Sequence, residues 1–171
     1  RTDAGPLAMR FLANTDVHIL APTSDSRGGL EIVAGQTVIK SMADDAAALL
    51  DQLAISAAHI MGYSMGARIS AFLALRNPDK VRSLIFGGLG MGMVEGVGEW
   101  DPIADALLAN SLDDVTHEQG RNFRIFADQT KSDRLALAAC IQASRKLLTP
   151  SQMNTISVST LIAVGTKDDI A

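Results

Sequence analysis

The sequence predicts an α/β fold: a mostly parallel sheet with flanking helices and a helical insertion. Three observations carry that expectation. Short apolar runs of strand length alternate with helical stretches, the spacing of right-handed β-α-β units. One run, residues 81–86, is almost continuously apolar, as in a strand buried on both faces of a parallel sheet. Between a strand-like and a helix-like segment stands Gly62-Tyr63-Ser64-Met65-Gly66, a Gly-x-Ser-x-Gly pattern in the one context where it has a mechanical meaning.

Taken in order, residues 6–13 form a short helical candidate with Leu7, Phe11 and Leu12 on one side. Residues 17–21 read as a strand closed by Pro22, and Asp25-Ser26-Arg27-Gly28 as a turn. Val38, Met42, Ala46, Leu49, Leu50 and Leu53 recur at helical spacing, so residues 37–53 form an amphipathic helix, with Ser41 and Asp44 as a weak cap. Residues 57–61 are the strand before the Gly-x-Ser-x-Gly turn. Residues 67–76 are the helix after it, stopped by Asn77-Pro78. Residues 81–86 are the next strand. A glycine-rich stretch from Gly87 leads out of the sheet as a mobile loop, with Met91 and Met93 expected against apolar space. It is not a dinucleotide loop: the Gly-x-Gly-x-x-Gly frame meets Met93 when started at Gly88 and Glu95 when started at Gly90. Residues 101–110, 118–126 and 133–148 read as helices, the last capped by Ser132. Residues 159–164 return to a strand pattern, followed by Gly165-Thr166-Lys167-Asp168.

Composition narrows the function classes. The chain has 171 residues, 47% hydrophobic and 20% charged, which is ordinary for one globular domain. A net charge of −4 argues against a nucleic-acid surface. No apolar run has the length of a membrane span. The single cysteine, Cys140, allows no internal disulfide, fits a reducing, cytoplasmic setting, and reads as a small buried hydrophobe. His117-Glu118 lacks a second histidine at zincin spacing, and no other metal-ligand cluster is present, so neither a metal nor a cofactor is expected.

The chemistry centres on Ser64. On a sharp strand-to-helix turn its side chain is pushed into solvent, Gly62 and Gly66 leave room for the two elements to approach, and the helix start offers free N–H groups. The Met65 N–H is then a candidate oxyanion donor, and Tyr63 and Met65 are candidate substrate-binding residues.

Residues 58–69 (AHIMGYSMGARI) together with Asn77-Pro78-Asp79-Lys80-Val81-Arg82-Ser83-Leu84-Ile85 resemble the centre of an α/β-hydrolase, closest to small bacterial serine esterase-like members with a helical cap. The resemblance implies an incomplete hydrolase core over residues 1–88 and 156–171 and a cap over residues 89–155. It implies a Ser-acid-His chain order, with the acid after the strand that follows the cap. Asp168, three residues after Gly165, matches that position; Asp169 is adjacent, and the alternative acid position after residue 86 holds Gly87-Gly88. A histidine must take the serine proton. His18 and His117 lie elsewhere in the chain, and His59 is five residues back along the strand, about 16 Å from Ser64 at ~3.3 Å per residue. All three read as core or surface histidines, and none follows Asp168. The His-Gly loop that gives the family its second oxyanion donor has no match before Asp16, and the Asp-x-Arg-Gly turn is followed by a departure at residues 29–35. The early strand that the family sets between those at Val17 and Ala57 is missing too.

The expectation is therefore a piece of a longer serine hydrolase, cut at both ends. Its substrate is a small ester-like molecule; its base lies outside the chain, and the piece alone is nearly inactive. An acyltransferase or C–C bond hydrolase on the same fold, a ligand-binding member without turnover and an inactive fragment are the alternatives. A dehalogenase or epoxide hydrolase is disfavoured, because those need a carboxylate where Ser64 stands.

Overall fold

The computed structural model describes residues 38–143 and 145–168. The helix expected at residues 6–13, the strand at 17–21, the turn at 25–28 and His18 lie outside them. Three strands, β1 (Ala58–Tyr63), β2 (Val81–Gly87) and β3 (Ser159–Ala163), form one parallel sheet in the order β1-β2-β3. Helix α1 (Val38–Gln52) precedes β1, and α2 (Met65–Arg76) crosses from β1 to β2. The longer crossover from β2 to β3 carries α3 (Gly92–Glu95), α4 (Asp101–Leu108), α5 (Glu118–Gln129), α6 (Arg134–Ala143) and α7 (Pro150–Thr155).

Pairing in register explains which sheet face is dry. Gly62, Phe86 and Ile162 form one row, and Met61, Ile85 and Leu161 the next, so adjacent rows point to opposite faces. Helix α2 packs on β1 and β2 over the face that carries Leu84 and Phe86, both fully buried, and α1 packs on α2. Phe72, Leu73, Ala67 and Ala71 of α2 and Ile39, Met42, Ala43 and Ala47 of α1 complete that core. The buried stripe of α1 is thus Ile39-Met42-Ala43-Ala47-Leu50, turned from the expected one; Leu53 lies past the helix end and is exposed. Ser41 is inside α1, and Asp44 accepts from Arg76 Nε and Nη2 at 2.7 and 2.8 Å rather than capping anything.

A second apolar cluster, Ile103, Ala104, Leu107, Ala127 and Ala138, joins α4, α5 and α6. Its polar tie is Arg124, buried on α5, which donates to the carbonyls of Ala106 and Ala109 at the end of α4 and pairs with Asp128 at 2.9 Å. Met93, Cys140 and Leu148 of the crossover belong to the first cluster, so the helical layer is anchored to the sheet layer.

Candidate active site

The C-terminal ends of the three strands are tied edge to edge. Ser64 N–H donates to Gly87 O at 2.7 Å, and Gly88 N–H donates to Ala163 O at 2.9 Å. Everything that leaves β1, β2 and β3 therefore emerges along one rim of the sheet.

On that rim Ser64 turns the chain from β1 into α2. Its φ is 52° and its ψ −116°, a left-handed backbone that a side-chain-bearing residue holds only when its surroundings enforce it. Gly62 shows what enforces it. A Cβ there would lie 2.1 Å from Gly66 O and 2.5 Å from Ser70 Oγ, so the strand end and the first turn of α2 meet backbone to backbone. Ser70 Oγ fixes that turn by donating to Gly66 O at 2.8 Å. Gly66 itself does not need to be small: a Cβ there meets nothing within 4 Å, which corrects the expectation that both glycines relieve crowding. The residue whose lack of a side chain matters is the one whose Cα faces the other element's backbone.

Ser64 is exposed. Its carbonyl accepts from Ala67 and Arg68 N–H at 3.0 and 3.4 Å, so α2 starts at once. The N–H groups of Met65 and Gly66 come before that first bonded turn, and among the described residues no backbone acceptor takes either. The helix start therefore presents donors beside the Ser64 hydroxyl.

Ser64 and Met65 line a cavity of about 750 Å³ between the sheet rim and the helical layer. Leu89, Trp100, Phe123, Leu137 and Cys140 supply apolar wall. Met65 Sδ is 3.6 Å from Cys140 Sγ, and burial pushes the Cys140 thiol up, which keeps it neutral. Arg68, one helical turn after Ser64, is buried on the same wall; its guanidinium donates to Gly92 O at 3.1 Å, and desolvation lowers its pKa. Asp101 and Arg145 meet in an ion pair on the wall, and the Arg145 hydrogen bond holds the Asp101 carboxyl below the usual carboxylate range.

The glycine-rich stretch is pinned rather than free, through Arg68 and through Leu148 N–H donating to Met93 O at 3.0 Å. Met93 is buried in the core and Met91 is exposed, and neither lines the cavity. Tyr63 is off the cavity as well. It belongs to the sheet face opposite α2, 68% exposed, with its ring over the end of β2. A Cβ at Gly88, whose φ is +58°, would lie 2.7 Å from Tyr63 Cζ.

Asp168 follows β3 in a turn closed by its N–H on Gly165 O at 3.0 Å. The strand it follows is two strands from the one that leads into Ser64, roughly 10 Å at ~4.8 Å per strand. Asp168 does not line the cavity and is half-buried. The described histidines are both occupied locally. His59 Nδ1 is 2.7 Å from Ser83 Oγ on the sheet, and His117 Nδ1 accepts from Gly120 N–H at 3.0 Å as the cap of α5. Among the described residues no group of three or more His, Cys, Asp or Glu could hold a metal ion. No described helix is long and apolar enough to cross a membrane.

Sequence reasoning passed over Trp100, Arg145 and Asp101. Each lies at or beside a helix end, and only the packing of the crossover brings them to one wall.

A family model described as alpha/beta hydrolase fold matches residues 23–168. The 3-oxoadipate enol-lactonase 1 of Acinetobacter baylyi is 27% identical over 165 residues, covering 86% of this chain and 61% of its own length. A hydrolase from Pseudomonas aeruginosa PA01 superimposes with a TM-score of 0.56 at 24% identity, over 78% of this chain and 56% of that one. A marine microorganism esterase does so with a TM-score of 0.53 at 19% identity, over 78% and 61%. The chain thus spans a little over half the length of the proteins it matches.

Proposed function

The chain belongs to the alpha/beta hydrolase fold family, and from that premise we propose that it is the central part of a serine hydrolase acting on an ester-like carbonyl. The observation that carries the reading is the strained, exposed Ser64 at a turn that Gly62 alone could permit. Strain kept at a solvent-facing hydroxyl, beside the unbonded N–H groups of a helix start, has no packing benefit; it has a catalytic one.

In this reading Ser64 Oγ attacks the carbonyl carbon and the Met65 N–H receives the developing oxyanion. Asp168 orients a histidine that takes the serine proton and later returns it to the leaving alcohol. With His59 and His117 engaged elsewhere, that histidine comes from outside these residues. The 171-residue chain alone then retains only what binding and oxyanion donors supply, ~10³-fold over water. The helices between β2 and β3 form the cap over the substrate. The neighbours' printed functions, lactonase and esterase, are both acyl-oxygen cleavage and support the same bond type here.

The test is p-nitrophenyl acetate turnover by the chain as it stands and by the chain lengthened to a relative's full span. Turnover should rise by at least about 10³-fold on lengthening and vanish with Ser64→Ala. Equal turnover in both forms, or turnover indifferent to Ser64→Ala, would overturn the proposal.

A further inference from the structure

We propose that the cavity beside Ser64 selects a neutral acyl group ending in an aromatic ring, read by Trp100 and Phe123. The inference rests on the hydrolase reading only for which end of the ligand faces Ser64. Two independent observations carry it.

The first is charge. Among the described residues the charged ones on the cavity wall are Arg68, Glu99, Asp101 and Arg145, two cations and two anions. Asp101 and Arg145 are engaged with each other, and Arg68 donates to Gly92 O. A ligand carboxylate at Arg145 would have to break the Asp101–Arg145 pair and face Asp101 and Glu99, and one at Arg68 would compete with Gly92 O for its guanidinium. A ligand ammonium would have to displace Arg145. A neutral group leaves every one of these interactions in place and avoids desolvating a charge.

The second is ring geometry. Trp100 and Phe123 meet edge to face, with centroids 6.1 Å apart and planes at 77°. Both are only half-buried and both line the cavity, so the pair is packed from behind by the α4–α5–α6 cluster and open in front. Edge-to-face pairs extend readily to a third ring, because a ring's positive edge meets another's negative face. Phe126, exposed on the same wall, extends the aromatic surface. A cavity of about 750 Å³ has room for a ring and its linker together.

Trp100 is the only tryptophan of the chain, so its emission reports occupancy without any turnover. The experiment titrates the 171-residue chain with 4-phenyl-2-butanone, with 4-cyclohexyl-2-butanone and with 4-oxopentanoate, a methyl ketone that carries a carboxylate where the first carries its ring. The phenyl ketone should give a saturable change in emission. Its Kd should be about three- to tenfold below that of the cyclohexyl ketone, the margin of one aromatic pair. It should be at least about tenfold below that of the carboxylate. Phe123→Leu should erase the phenyl preference while leaving the tryptophan signal; the wild-type comparison decides even if that variant does not fold. The phenyl-over-cyclohexyl preference should persist in Ser64→Ala, so ring selection and nucleophile assignment fail separately. A cyclohexyl ketone that binds as tightly, a carboxylate that binds more tightly, or no saturable change would overturn the inference.

Discussion

Ser64 and Gly62 divide one task between them: the serine adopts φ 52°, and the glycine two residues earlier lets the helix backbone come close enough to hold it there. Gly62→Ala would drive a Cβ into Gly66 O, a rigid backbone atom, and is expected to cost more than about 3 kcal/mol in urea unfolding. Gly66→Ala, with open space beside it, is expected to stay within about 1 kcal/mol. If the two variants were equally damaging, the backbone contact would not be what fixes the turn. The nucleophile candidate was legible in the sequence because the motif and its flanking elements are local. His59 and His117 are engaged locally, as their sequence contexts suggested, but the His117 cap role was not legible, since it depends on the ring turning back to Gly120 N–H. Tyr63 shows the limit of adjacency. Next to Ser64 in sequence, it sits on a strand, where alternation sends neighbours to opposite sides, and it ends on the face away from α2.

At the level of elements, the order of strands and helices from residue 38 onward follows the sequence reading, and the ends are where it fails. The cap of α6 is Asp133, whose Oδ1 accepts from Leu135 and Ala136 N–H, while Ser132 Oγ bonds Thr130 Oγ1. Both residues are good caps, and one residue of phase decides between them. The helix expected to run to residue 148 ends at Ala143, and α7 begins after Thr149 with a reciprocal Thr149–Gln152 capping box. Its Thr-Pro-x-Gln signature was there to be read. Helix α1 ends in a motif that sequence alone would not assign. Ala54 has φ 55°; its N–H donates to Asp51 O, and Ile55 N–H to Leu50 O. That is the Schellman pattern with alanine where glycine is usual. Ala54→Gly removes a left-handed penalty of about 1–2 kcal/mol against an entropic cost of about 0.5–1. The expected result is a gain of about 0.5–1 kcal/mol in thermal or urea unfolding; a loss would mean that the left-handed cap is not held in solution.

For the molecule as a whole, the rim of the sheet gathers what the sequence spreads over a hundred residues. Ser64 follows β1 and Asp168 follows β3, and parallel pairing in register brings both loops to one edge. Parallel order was legible from the alternation of elements. The cavity was not, because it is closed by residues of the crossover whose positions depend on packing rather than pattern. Among the described residues no helix packs on the opposite face of the sheet, where Met61 is 69% and Leu161 58% exposed, and β1 and β3 are the sheet's edges. This fits a chain that spans little more than half the length of its matches. The most direct test of the central claim is fluorophosphonate labelling followed by peptide mapping, on the chain and on its lengthened form. One adduct is expected, on Ser64, formed fast in the lengthened protein and slowly in the 171 residues alone. An adduct on any other residue, or none on Ser64 in either form, would contradict it.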